Sequence, residues 1–215
     1  MRLDQPTFHA LYEAMPSGVR AELIHGVVHM PSPLGVDHSD GLLPILIWLD
    51  YYAERSGRPV QVADGATVIL DSRTEVQPDA LLRVVEGGQT QVRGGFIVGP
   101  PELVVEVSRS TRYVDLGPKL DEYARAGVRE YVVRTIGPDQ LLWHLLVDGR
   151  LIEQRPGADG LYRSSTFPGL WLDPIALLHG HRAQLRTAID RGLAAVQVQG
   201  EADAPRPDDA TRRAP

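Results

Sequence analysis

The chain has 215 residues, 43% hydrophobic and 23% charged, with a formal net charge of -6 and no cysteine. That length allows one domain with its own core. Without cysteine, disulfides, thiolate metal sites and thiol nucleophiles are excluded, and the acidic balance gives no global basic footprint for tight non-specific nucleic-acid binding.

No apolar run approaches the roughly 18 residues needed to cross a bilayer. The opening stretch, MRLDQPTFHALYEAMPSG, carries acids and no long apolar segment, so a secretory signal is not expected. The expectation is a cytoplasmic protein without a membrane partner.

Residues 6–15 read as a short helix, with Phe8, Leu11 and Tyr12 on one side. AELIHGVVHMP alternates and breaks at His25-Gly26, which predicts a hairpin with strands near 21–25 and 27–31. Residues 36–56 place Leu42, Ile45, Leu46, Leu49 and Tyr52 at helical spacing, and Pro44 suggests that the regular helix starts near it. Extended runs follow at 59–63, 66–70 and 78–85, then a glycine-rich loop, then the apolar strand PELVVEVS at 101–108. Residues 115–126 read as a helix stopped by Gly127. REYVVRTI (129–136) is a strand, and 140–165 reads as an antiparallel meander. A short helix over DPIALLHG and an amphipathic helix over 181–197 follow. Trp48, Trp143 and Trp171 read as core. One domain over 1–198 is expected, with a proline- and charge-rich, disordered tail over 199–215. The mixture predicts an α+β or α/β layered fold around a single central sheet.

Lys119 is the only lysine; the other 21 basic residues are arginine. Codon bias can empty a chain of lysine and leave a chance survivor. Alternatively, Lys119 stands where a wide planar fork cannot replace a compact point charge. Composition alone does not choose between them.

Two acids interrupt apolar strands. Asp79 shares a strand face with Leu81 and Arg83, while Ala80, Leu82 and Val84 share the other. Glu102, Val104, Glu106 and Ser108 share one face of the next apolar strand, opposite Leu103, Val105 and Val107. A carboxylate among such neighbours is costly unless paired or metal-bound, and hard oxygen ligands suit Mg²⁺ or Mn²⁺. Exposed strand-end acids paired to arginine are the commoner alternative. Lys119 follows Glu106 by 13 residues, across a polar loop, so a strand–loop–helix fold could return it to the strand end. Two acids and one lysine suit phosphodiester cleavage: the acids hold a divalent ion, and the lysine orients water or stabilises transition-state charge.

Other candidates carry two readings each. His38 contacts phosphate or a water, or simply packs at a helix start. Glu22 is a further acid of the site or a partner for Lys119 or an arginine. Arg109 and Arg112 meet phosphate or are solvated. Tyr123, four residues after Lys119, shares its helix face and walls the site or joins the core. Ser110-Thr111 reads as a helix start rather than a nucleophile. His179 and His181 lack a third ligand nearby and read as a solvated turn.

These residues resemble the Uma2 family within the PD-(D/E)XK nuclease superfamily. The resemblance is carried in order by Pro78-Asp79, Glu106-Val107-Ser108, Ser110-Thr111, Asp115, Lys119 and the run Tyr123 to Tyr131, preceded by AELIHGVVHMPSP and His38 and followed by FPGLWLDPIALL. It covers roughly residues 5–180. It implies a restriction-endonuclease-like mixed central sheet flanked by helices, with an αβββαβ core, an N-terminal hairpin and a C-terminal meander. It implies Mg²⁺ or Mn²⁺ on Asp79 and Glu106, with Glu22 as a further acid. The superfamily's lysine normally lies two residues after the glutamate, where this chain has Ser108; the resemblance implies that Lys119 replaces it from the following helix. Nucleic acid, DNA ahead of RNA, is the implied partner, and a homodimer would suit a two-strand cut. The family's frequent Asp after the Glu-Tyr strand is missing: Arg134 and Thr135 follow, and the next Asp is Asp139. That departure and the acidic charge motivate a rival reading, a non-catalytic binding or regulatory protein on the same fold.

Overall fold

The structure, a computed structural model, describes residues 2–31 and 33–203. Asp4 accepts a hydrogen bond from the Thr7 N–H at 2.9 Å and so caps α1 (Gln5–Glu13). The hairpin strands β1 (Glu22–Ile24) and β2 (Val27–His29) are joined by His25 and Gly26, both at positive φ. That is the backbone a two-residue hairpin turn requires. Helix α2 (Val36–Arg55) runs straight through Pro44 rather than starting there. Its buried face, which includes His38, Gly41, Ile45, Trp48 and Tyr52, is packed on both sides of the proline. Tertiary packing therefore outweighs the one lost hydrogen bond.

The strands β3 (Val60–Asp64), β4 (Val68–Asp71), β5 (Thr74–Val76), β6 (Ala80–Val84), β7 (Gln91–Arg93), β8 (Phe96–Val98) and β9 (Leu103–Ser108) follow. A short α3 (Arg112–Asp115) and α4 (Pro118–Ala126) lead to β10 (Glu130–Thr135), β11 (Gln140–Val147) and β12 (Arg150–Gln154). β13 (Tyr162–Arg163), β14 (Trp171–Leu172), α5 (Pro174–Leu178) and α6 (Arg182–Asp203) complete the described chain.

The central sheet has the order β12-β11-β10-β9-β6-β3 and is mixed: β9 and β10 are parallel, the other pairs antiparallel. A parallel neighbour needs a crossover, and α3 and α4 supply it. A second six-stranded sheet, β2-β1-β5-β4-β8-β7, corrects the expectation of a single sheet. Several of its strands are three residues long, too short to show alternation, and the glycine-rich segment read as a loop holds the β7–β8 hairpin. The meander loses its last segment: β10, β11 and β12 form it, but β13 pairs with β14 in a separate two-stranded sheet.

The two faces of the central sheet follow the alternation read from sequence. Ala80, Leu82, Leu103, Val105 and Val107 pack in one core with Trp48, Tyr52, Leu177 and Ile189 of the helices. Leu81, Val104, Tyr131 and Val133 pack in another with Tyr123 of α4 and with Ile24, Val68, Val76 and Ile97 of the second sheet. Trp48 and Trp143 are fully buried. Trp171 is half-buried, covered by the Arg163 guanidinium 4.2 Å from its ring centroid, which corrects its reading as core. Residues 199–203 of the expected tail belong to α6, and 204–215 lie outside the described residues. No described helix is long and apolar enough to cross a membrane.

Candidate active site

The site lies at one end of the β6–β9 pair. Ala80 is paired with Val105 and Leu81 with Val104, so one further step brings Asp79 beside Glu106. Asp79 Oδ2 accepts the Val107 N–H at 2.8 Å, which fastens the carboxylate to the edge of β9. His38, in the first turn of α2, sets its Nε2 3.1 Å from the same oxygen.

Lys119 arrives from the first turn of α4, behind Pro118. A cation there opposes the helix dipole, so the helix itself does not favour it. Three carboxylates do: Lys119 Nζ lies 2.9 Å from Glu106 Oε1, 3.0 Å from Glu22 Oε1 and 3.8 Å from Asp115 Oδ1. One turn on, the Tyr123 hydroxyl donates to Glu106 Oε1 at 3.0 Å. Glu22 Oε1 is fixed in turn by the Gln77 N–H at 2.7 Å. Lys119 is 5% exposed. A compact ammonium meets three converging acids in that space, which gives the lone lysine a physical reason to differ from the 21 arginines.

The group forms the floor of a cleft of about 470 Å³. Glu22, Asp79, Glu106, Asp115 and Lys119 line it, with Arg20, His29 and the segments on either side of the mouth, Met30 to Gly35 and Arg109 to Thr111, of which Ser32 is not described.

The electrostatics separate the two central acids. Burial pushes Asp79 up, but the hydrogen bonds from His38 and Val107 and the charges of His38 and Lys119 hold it below the usual carboxylate value. Burial dominates at Glu106; Lys119 opposes it, yet Asp79, Asp115 and Glu22 add repulsion, and the carboxyl lies well above its ordinary value. Asp115 is also raised, chiefly by burial, with Lys119 pulling the other way. Burial alone would lower Lys119, but Glu106, Glu22 and Asp115 raise it above the ordinary lysine value. The lysine therefore stays charged across the physiological range.

The donor chemistry fits a hard divalent cation in a limited sense. Asp79 and Glu106 each engage one oxygen with described partners, Oδ2 and Oε1, leaving Oδ1 and Oε2 without a hydrogen bond from any described residue. Both residues line the cleft. Two carboxylates plus water is a common way to hold Mg²⁺. Among the described residues no three carboxylate or imidazole groups form a closed metal cage.

Of the residues singled out from sequence, Asp79, Glu106, Lys119, Glu22 and His38 come together. Tyr123 joins from beneath, through Glu106, without lining the cleft. Ser108 is fully buried with its hydroxyl unpartnered and does not line the cleft. Arg109 stands at the mouth and pairs with Asp37 at 2.9 Å. Arg112 is not brought in: it donates to Gln140 Oε1 at 3.3 Å, outside the cleft lining. Sequence reasoning gave Asp115 a place in a motif but no partner, although its i,i+4 spacing to Lys119 is the signal that pairs them. The Gln77 backbone donor and Arg20 carry no such signal.

Comparison with known proteins agrees with this architecture. Residues 6–176 match the model of the Uma2 family, described as "Putative restriction endonuclease". A solved structure described as "a putative nuclease belonging to DUF820" from Anabaena variabilis superposes with a TM-score of 0.59 at 13% sequence identity, covering 78% of this chain and 96% of that one. At that identity the likeness shows the fold alone. No curated protein matches the chain. The family match spans most of the sequence and contains every residue of the cleft floor, and the chain belongs to the Uma2 family.

Proposed function

We propose that the protein is a metal-dependent endonuclease that hydrolyses nucleic-acid phosphodiester bonds, DNA being the favoured polymer. The observation that supports this best is the convergence of Asp79, Glu106 and Lys119 on the floor of one cleft. In this reading Asp79 and Glu106 hold Mg²⁺ or Mn²⁺, and a bound ion would polarise the phosphate and acidify water. His38 and the Val107 N–H orient Asp79, and Tyr123 orients Glu106. Lys119 is protonated, so its work is donation: it orients the attacking water or offsets charge growing on the phosphate oxygens, and it is not the base.

Labelled DNA and RNA oligonucleotides, incubated with the native protein in Mg²⁺, Mn²⁺ or chelator, test the reading. Cleavage is expected in metal and not in chelator, and Lys119→Ala is expected to reduce it at least ~100-fold. Absence of cleavage by native protein, or full cleavage by Lys119→Ala, contradicts it. The non-catalytic alternative draws on the lack of a three-ligand cage among the described residues. Calorimetry separates the two: saturable oligonucleotide binding with no uptake of Mg²⁺ or Mn²⁺ favours the binder.

A further inference from the structure

The ammonium of Lys119 occupies a seat built by three elements. Glu22 comes from β1 of the second sheet, Glu106 from β9 of the central sheet and Asp115 from the end of α3. Their nearest oxygens lie 3.0, 2.9 and 3.8 Å from Nζ, so two are within hydrogen-bond reach and the third adds charge. All four side chains are buried. A helix start does not attract a lysine, and three converging carboxylates repel one another without a counter-charge. Acids and cation are therefore parts of one arrangement.

Neutral donors aim two of the acids at the seat independently of the lysine. The Gln77 N–H reaches Glu22 Oε1 at 2.7 Å, and the Tyr123 hydroxyl reaches Glu106 Oε1 at 3.0 Å. With Lys119 in place, each of these oxygens faces two donors, the ordinary complement of its lone pairs. Neither has capacity left for a further cation. Mg²⁺ takes oxygen at about 2.0–2.1 Å, well inside the distances to Nζ, so the seat is spaced for an ammonium. That spacing accounts for three acids converging without a three-group metal cage among the described residues.

Glu106 faces two ways. Its Oε1 belongs to the seat, while Oε2, like Asp79 Oδ1, has no hydrogen bond from any described residue. Two-metal sites for phosphodiester chemistry set their cations about 3.5–4 Å apart, a span that the two oxygens of one carboxylate can bridge. Here a side chain holds one of the two places.

We propose that Lys119 stands in for a second metal ion: its ammonium fills the Glu22–Glu106–Asp115 seat permanently, the cleft takes a single divalent ion on Asp79 and the outer oxygen of Glu106, and removing the ammonium opens a second cation site. This rests on the metal-dependent nuclease reading and adds its ion count. Glu22 and Asp115 hold the lysine, and not the ion.

The test counts ions, apart from cleavage. Metal-free protein is titrated with Mn²⁺, bound and free ion are separated by electron paramagnetic resonance, and circular dichroism checks folding. Native protein is expected to bind one Mn²⁺ per chain and Lys119→Ala two, with the exchange-broadened signal of neighbouring ions. Lys119→Ala combined with Asp115→Asn is expected to fall back to one. Asp115→Asn alone is expected to keep the single ion with affinity within about tenfold of native, whereas Asp79→Asn weakens it about 100-fold or more. Two ions in the native protein, a single ion in folded Lys119→Ala, or a loss in Asp115→Asn as large as that in Asp79→Asn overturns the inference. The native and Asp115→Asn titrations retain the ammonium and decide the matter if Lys119→Ala does not fold. Two ions in the native protein with Lys119-dependent cleavage would leave the nuclease reading standing and remove this one; one ion in the native protein and two in Lys119→Ala, with no cleavage by the native protein, would do the reverse.

Discussion

Two buried glutamates on adjacent parallel strands behave in opposite ways. Glu130 on β10 is fully buried and accepts four hydrogen bonds: from Trp143 Nε1 at 3.0 Å, Ser164 Oγ at 2.7 Å, Ser165 Oγ at 3.1 Å and the Thr166 N–H at 2.7 Å. All four donors are neutral, and Glu130 does not line the cleft. Glu106 on β9 is nearly as buried, but its company is one cation, three further acids and a phenol, with one oxygen left over beside a cleft. Glu130 is a saturated acceptor that ties the 164–166 loop to the sheet. Glu106 sits in a strained set of like charges that structure alone would not favour. A buried carboxylate is thus no sign of a site; the unsatisfied, mutually repelling group around it is.

The largest expected effect breaks the cationic half of that contrast. Lys119→Met removes the ammonium that Glu106, Glu22 and Asp115 share and should cost about 3–5 kcal/mol, read by urea unfolding at pH 7. The deficit should shrink at pH 5. Without the ammonium, the folded-state values of the acids rise further, and a raised value contributes stability below the unfolded value that is lost as pH climbs.

Glu106→Gln should reduce cleavage about 100- to 1,000-fold. Its stability should stay within about 1 kcal/mol of native, because burial already disfavours the ionised form. Glu130→Gln should do the reverse, because only one of the two acceptor oxygens survives and the amide N–H₂ then opposes the donors of the other, the Trp143 N–H at the least: a loss of about 1–3 kcal/mol with unchanged cleavage per folded molecule. The smallest effect concerns acid. Asp79 is held below the usual carboxylate value, so its contribution is present above the unfolded value, about 3.9, and is lost as pH falls through the folded one. Asp79→Asn should flatten that acid-side loss in unfolding midpoints recorded from pH 3 to pH 7.

The same two glutamates mark what sequence can carry. The alternation of PELVVEVS and PDALLRV set the strand faces correctly, and the 13-residue return to Lys119 was legible because strand, loop and helix have predictable reach. Glu130 sits in an equally apolar strand, yet its partners lie 13 to 36 residues away, beyond local pattern. The second sheet was hidden for a related reason. Its three-residue strands are held by pairing across distant segments, such as Leu23 with Glu75, rather than by their own periodicity. Arg112 shows the limit in the other direction: its loop position allowed a phosphate role, and one helical turn carries it away from the cleft.

The most direct test of the central claim compares cleavage of a labelled oligonucleotide in Mn²⁺ by Glu106→Gln and Glu130→Gln, each normalised to folded protein. The account predicts near-complete loss in the first and native turnover in the second. Equal rates in the two variants, whether both lost or both retained, would contradict it.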